Sequence, residues 1–326
     1  MALATAILGF MTLHVAFVSE ASIVQCSDRL LTVNTDPWDA TSNKTIVVEA
    51  RNGRAVLGYA GLAHIRGEPT SEWLVRKITA AKEPFTSFQF GGVSPVWLGD
   101  VRDRVIGGVE REFPSSQRVG RRQRLELMIC GWGYPRRLRN SKRPTAFIWQ
   151  LTHSGVQGAR CKIRPTTRLR FRDPSRRWAI AGIGRADLLN CEAINQELLA
   201  ESDPFGRDEV ERSLVGAIRS VADLPGSRVG SDVMSVCLPA LPPESPASFR
   251  FFRDTGVIDD RLGYTPALVS SRSVFPPAVM NSSQGFSAVF NADTPFEWEY
   301  TTETIPPWTQ TGVRTLSVQM GKRYDP

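Results

Sequence analysis

The chain has 326 residues, of which 41% are hydrophobic, and its 40 Lys and Arg against 33 Asp and Glu give a net charge of +7. That composition allows a full core and argues against a disordered chain. Five cysteines, Cys26, Cys130, Cys161, Cys191 and Cys237, stand singly and in odd number, which supports neither a disulfide framework nor a zinc site and fits a reducing compartment.

Residues 1–18 are apolar but carry no basic start, and His14 interrupts the run, so they are not read as a secretory signal. No other stretch approaches the length of a membrane span. The expected location is the cytoplasm, with no membrane partner. From Thr12, Leu13/Val15/Phe17 alternate with His14/Ala16, and Ala21 to Asp28 follows after a turn at Ser19-Glu20; this predicts two strands in a hairpin. Lys44 to Arg51 and Ala55 to Ala60 flank Asn52-Gly53, a strong signal for a second hairpin.

After Gly61 the period becomes helical. Thr70-Ser71 caps a predicted helix to Lys82, and Val101/Val105/Ile106/Val109/Phe113 mark another. Strands are then expected over Leu125–Cys130, Ala146–Leu151, Lys162–Phe171 and Trp178–Gly182. Two helices follow, Ala186–Glu201 and Arg207–Ala222, broken at Asp203-Pro204, and Val233–Leu238 closes the core. Runs of strands separated by runs of helices predict an α+β layered domain.

Ten of the 22 prolines fall in residues 241–326, where short β periodicities such as Phe249-Arg-Phe-Phe, Phe286-Ser-Ala-Val-Phe and Thr315-Leu-Ser-Val-Gln recur. The expected organisation is therefore 1–11 as a leader or mis-assigned start, 12–240 as the domain, and 241–326 as a β-rich extension wrapping the core or a neighbouring subunit. Charge is uneven too: residues 118–177 hold 17 Lys and Arg against Glu126 and Asp173, a local +15 that leaves −8 for the rest. Such a segment suits nucleic acid, an acidic partner or solvated loops. His14, His64 and His153 are scattered and read as structural, so no metal or cofactor is implied.

The constellation with chemical content is Thr12, Asp28 followed by Arg29, and Lys44, at two successive intervals of sixteen residues. A chain starting at Thr12 would carry a hydroxyl and a free amine on adjacent carbons, a nucleophile with its own base. Asp28 would orient and compensate a buried Lys44. The joint spacing resembles that of proteasome β-subunits and HslV-like peptidases, N-terminal-threonine members of the N-terminal-nucleophile hydrolases, over roughly residues 12–240. Ala60-Gly61-Leu62-Ala63, Leu127-Met-Ile-Cys-Gly131, Gln150-Leu-Thr-His-Ser-Gly155 and Ala179-Ile-Ala-Gly-Ile-Gly184 look like further stations of that pattern. There are departures: Ile183 stands where a Ser is usual, Asp223 is followed only loosely by Ser227 and Gly230-Ser231, and Met11 replaces the Gly that precedes self-cleavage.

The resemblance implies a four-layer αββα sandwich that cleaves peptide or other amide bonds through an acyl-enzyme on Thr12. It makes Asp28, Lys44 and Asp223 supporting residues and the Gly61 amide the oxyanion donor, with Tyr59 near the floor of the substrate pocket. Initiation at Met11 followed by removal of that residue would expose Thr12. Its implied partners are peptide or unfolded-protein substrates, copies of the same chain in a closed ring, and an unfoldase. Two other classes stay open: a catalytically inactive structural subunit, if Met1 stays attached, and a basic nucleic-acid-binding protein.

Overall fold

A first strand that is apolar on both faces has to be covered twice. In the computed structural model, which describes residues 12–33, 36–39, 44–82, 89–90, 96–112, 124–133, 145–154, 160–164, 167–169, 178–201, 206–240, 247–252, 262–269, 273–275, 278–281, 296–301 and 314–320, β1 (Leu13–Ser19) meets both demands. Leu13, Val15 and Phe17 enter one apolar cluster and Ala16 and Val18 another. β2 (Ser22–Asp28) returns antiparallel, its turn held by Ser19 Oγ accepting the Ala21 and Ser22 amides at 3.2 and 3.1 Å. The second hairpin is β3 (Thr45–Ala50) and β4 (Gly53–Ala60).

Helix α1 (Thr70–Thr79) stops short of Lys82 because Ala80 turns left-handed at φ 57°, and the Ala81 amide reaches back to the Arg76 carbonyl at 3.0 Å. Helix α2 (Leu98–Glu112) starts earlier than its apolar period suggests, because Asn52 Oδ1 in the hairpin turn accepts the Leu98 amide at 2.9 Å. β5 (Leu125–Gly133), β6 (Thr145–His153) and β7 (Trp178–Gly184) follow. Of the strand expected over Lys162–Phe171, two short pieces, Lys162–Ile163 and Thr167–Leu169, pair with β6, and Phe171 lies outside the described residues. The helix expected from Ala186 is interrupted: a 3-10 turn covers Ala186–Leu188, and α3 (Cys191–Ala200) begins only after Asn190, whose side chain accepts the Ala193 amide at 3.0 Å. α4 (Arg207–Ala222) and β8 (Val233–Pro239) complete the core elements.

The residues beyond 240 supply β9 (Ala247–Phe252), β10 (Ala267–Val269), β11 (Ser273–Phe275), β12 (Phe296–Thr301) and β13 (Arg314–Met320), while Phe286–Phe290 lies outside the described residues. These strands are woven into both large sheets. One sheet runs β7-β1-β2-β8-β9-β13-β12; the other runs from Lys162–Ile163 through β6, β5, β4, β3, β10 and β11 to Gln89–Phe90. β10 joins β3 in parallel, pairing Ala267 with Ile46, so the open edges of β3 and β8 are both covered by the extension.

Three apolar clusters show where the core lies. Ile46, Leu57, Ile129 and Trp149 meet Trp73, Ile78, Val101 and Val105, sealing α1 and α2 onto the sheet of β4. Ala16, Val18 and Ile23 meet Val56, Met128 and Ile148, joining the two sheets. Leu13, Phe17 and Val24 meet Leu198, Leu214 and Ile218, sealing α3 and α4 onto the sheet of β1. Each fully buried side chain of this kind contributes about 1.5–3 kcal/mol. The class is α+β, built from these sheets and four α-helices among the described residues.

Among the described residues no helix is long and apolar enough to cross a membrane. Most of the basic segment and all of residues 1–11 lie outside the described residues.

Candidate active site

The β1–β2 register sets His14 opposite Ser27, which brings the end of β2 beside the start of β1. The Leu13 amide, immediately after Thr12, donates to Asp28 Oδ1 at 2.7 Å. The other carboxylate oxygen, Oδ2, accepts Lys44 Nζ at 3.0 Å and the amides of Leu30 and Gly230 at 3.2 Å each. Lys44 Nζ also donates to the Leu30 carbonyl at 2.7 Å. Both side chains of the ion pair are fully buried. Asp28 is thus a four-donor hub that ties the residue after Thr12, the lysine before β3 and the loop before β8 together. Arg29, also buried, holds its own amide on the Asp232 carbonyl at 3.1 Å.

Thr12 is 3% exposed, and its carbonyl accepts the Arg185 amide at 2.9 Å. Gly184, at φ +75°, sits so close that a Cβ there would fall 1.8 Å from the Thr12 oxygen. Only glycine fits that turn. The Gly184 amide in turn donates to Glu126 Oε2 at 2.9 Å, and Glu126 Oε1 pairs with Arg124 at 2.7 Å. Gln150 Nε2 reaches the Gly182 carbonyl at 3.0 Å. The end of β7 is therefore held by side chains of β5 and β6 from the opposite sheet.

Gly61 follows β4 at φ +107°, and a Cβ there would lie 1.9 Å from the Arg124 carbonyl. The Tyr59 amide donates to the Lys44 carbonyl at 3.2 Å, so the strand leading to Gly61 runs beside Lys44. Tyr59 itself is 4% exposed and belongs to the cluster under α1 and α2. Asp223 stands exposed at the C-terminal cap of α4, and it is the Gly230 amide, seven residues on, that reaches Asp28. Among the described residues no group of three or more His, Cys, Asp or Glu side chains could hold a metal ion.

Sequence reasoning missed Glu126, Gln150 and the amide of Gly230. Glu126 carried a signal, being one of only two acids in the basic segment and lying inside an apolar strand. It also left His14 as a merely structural histidine. Its Nε2 lies 2.9 Å from the Tyr59 carbonyl and its Nδ1 3.3 Å from Gln25 Nε2. Burial first, and then the charge of Lys44, push the imidazole down to about 3, while the Tyr59 carbonyl works the other way.

The unfolded chain takes up the His14 proton near the ordinary value of 6.5 and the folded chain only near 3. This contribution to stability is full above pH 6.5 and is lost as the pH falls toward 3. Between pH 8 and pH 5 the chain is expected to lose about 2 kcal/mol that His14→Gln does not lose, read from urea midpoints at the two pH values. Equal losses in the two proteins would mean that His14 is not buried in its neutral form.

No protein-family model matches the chain, and no curated protein does either. Among solved structures it is similar to Anbu from Hyphomicrobium sp. strain MC1, at 15% identity over 70% of this chain and 82% of that chain, with a TM-score of 0.42. The Gly-1 mutant of that Anbu gives 16% identity over 70% and 81%, with a TM-score of 0.43. The resemblance to proteasome β-subunits and HslV-like peptidases is corrected by these findings, because a likeness to Anbu at this low identity and TM-score is distant and does not show an HslV-like β-subunit. The physical reason lies in the spacing that carried it. Two seven-residue strands joined by a tight turn put Asp28 beside the start of β1, so the first of the two intervals follows from the hairpin whatever the family.

Proposed function

We propose that the chain is an N-terminal-nucleophile hydrolase of four-layer αββα build that cleaves amide bonds through Thr12 once the Thr12 amine is free. The observation carrying this reading is the convergence of the Leu13 amide, Lys44 Nζ and the Gly230 amide on buried Asp28, directly beside Thr12. Thr12 Oγ1 attacks the carbonyl carbon of the substrate while its own amine takes the hydroxyl proton. The Gly61 amide receives the oxyanion, a role worth about 10²–10³ in rate. The proton passes to the leaving amine as the C–N bond breaks, leaving an ester on Thr12. Water, deprotonated by the same amine, then releases the acid and restores the hydroxyl.

Lys44 holds positive charge beside the hydroxyl, and Asp28 orients Lys44. Asp223 belongs to this proposed set only through its segment, whose Gly230 amide gives the support. The substrate is a peptide or unfolded segment, and the setting is a homo-oligomer in the cytoplasm. The chain prepared with Thr12 as its first residue is expected to hydrolyse a fluorogenic peptide and to gain the mass of one acyl group from a slow ester substrate. Thr12→Ala should lose at least about 10³-fold in kcat with its fold retained. Equal activity in the two proteins would refute the mechanism.

The 3% exposure of Thr12 favours a second reading, a catalytically silent structural subunit, when the preceding residues stay attached. The N-terminal sequence of the protein from its native host separates the two. A free Thr12 supports the hydrolase, and an assembled chain that keeps residues 1–11 supports the silent subunit.

A further inference from the structure

The two halves of the candidate site lie on different sheets. Thr12 precedes β1 in one, and Gly61 follows β4 in the other. The space between these sheets is filled mainly by aliphatic side chains. Several polar contacts cross it near the site, among them Asp28 with Lys44 and Glu126 with the Gly184 amide, and one of them reaches directly from β1 to β4. His14 stands two residues after Thr12 and Tyr59 two residues before Gly61, and His14 Nε2 lies 2.9 Å from the Tyr59 carbonyl oxygen.

A carbonyl oxygen can only accept, so Nε2 carries the hydrogen and donates it. Nδ1 is then left to accept from the Gln25 amide nitrogen at 3.3 Å. All three residues are buried, with His14 and Gln25 fully so. The sequence makes room for them at Gly58, where a Cβ would fall 2.2 Å from Gln25 Nε2 and 2.5 Å from His14 Nδ1. A buried imidazole in an apolar layer is costly unless both nitrogens are satisfied, so this contact has one favourable arrangement and holds the strands to it. The low proton affinity of His14 keeps the same nitrogen donating across the working pH range.

We propose that His14 is a positioning residue, and that its bond to the Tyr59 carbonyl sets the separation between the Thr12 hydroxyl and the Gly61 amide. This rests on the reading of Thr12 as a nucleophile. The consequence is large for a single hydrogen bond, because a displacement of about 1 Å between nucleophile and carbonyl can cost on the order of 10²-fold in rate.

The test uses the chain beginning at Thr12, with His14→Leu, His14→Gln and Gly58→Ala beside the wild type. Steady-state peptide hydrolysis and amide hydrogen exchange are measured on each. Leu removes the donor, Gln restores one near the reach of Nε2, and the Gly58→Ala methyl displaces the imidazole while every polar group stays. His14→Leu is expected to lower kcat about tenfold or more with KM within about twofold, and His14→Gln to recover most of that loss. Exchange should rise together in residues 12–18 and 57–62 of His14→Leu.

A folded His14→Leu with wild-type kcat overturns the proposal, and so does exchange that rises on only one of the two strands. Should His14→Leu fail to fold, Gly58→Ala decides: a matching fall in kcat supports the link and wild-type kcat overturns it. If no version hydrolyses peptide, the hydrolase reading fails by itself. The paired exchange of the two strands then still upholds or overturns the link.

Discussion

Asp28→Ala is expected to cost about 3–5 kcal/mol of stability, the usual price of removing one partner from a buried ion pair. Asp28 accepts from Lys44 Nζ and from three backbone amides, at distances of 2.7–3.2 Å, with its side chain fully buried. Those donors come from four places in the chain, and no alanine can answer any of them. The loss is also expected to be non-additive. Lys44→Met removes the charge that Asp28 compensates, so the double variant Asp28→Ala/Lys44→Met should be more stable than the sum of the two single changes by about 1–3 kcal/mol. Urea unfolding of the four proteins measures this directly. A cost below about 1 kcal/mol for Asp28→Ala, or strict additivity, would show that the carboxylate is not the hub of the site.

How much of this hub could be read beforehand depends on the range of each contact. Two hairpins of fixed strand length put Asp28 and Lys44 near Thr12, and hairpins are written locally, in alternating residues and in Asn52-Gly53. The Gly230 amide arrives from 202 residues away in sequence, and nothing local marks a glycine amide as an acceptor's partner. Glu126 and Gln150 reach across from the other sheet, and which strand ends face each other is settled by packing of the apolar clusters. Asp223 enters only through the resemblance, and it stands exposed at the C-terminal cap of α4.

The helices show the same division. Their apolar stripes were visible, while the Ala80 left-handed stop and the Asn190 cap depend on backbone conformations that the period does not encode. The family resemblance rests on the joint spacing of Thr12, Asp28 and Lys44, of which the first interval also follows from a tight hairpin alone. The extension was the hardest segment to place. Its short β periodicities announce strands, but the parallel pairing of Ala267 with Ile46 spans more than two hundred residues and is decided only when β3 offers an open edge.

Arg250→Met is expected to loosen that extension from the core and to expose thiols that are otherwise silent. Arg250 lies on β9, beyond the core strands, and its Nη1 donates to Glu211 Oε2 at 2.7 Å and to Asp208. Glu211, on α4, is fully buried, and its other oxygen accepts Arg207 Nε at 3.0 Å and the Ser235 hydroxyl at 2.7 Å. Reading α4 by its apolar stripe passes over this residue, yet with Asp208 it joins the helix to the extension through Arg250. Without Arg250 the carboxylate keeps only Arg207 and Ser235 among these partners, and about 3–5 kcal/mol should be lost.

The loss should be local before it is global, because β9 pairs with β8 along one edge and a swung β9 uncovers that strand. Cys237 on β8 and Cys26 opposite Ser235 on β2 are both buried, and burial pushes the Cys237 thiol up to about 11. In the wild type an alkylating reagent should modify exposed Cys191 quickly and leave Cys26 and Cys237 untouched. In Arg250→Met, mass spectrometry should find Cys237 alkylated at least about tenfold faster, ahead of buried Cys130 on the far sheet. Equal rates for Cys237 and Cys130 would mean that the whole fold opens as one unit. Unchanged rates for all buried thiols would mean that Arg250 does not fasten the extension.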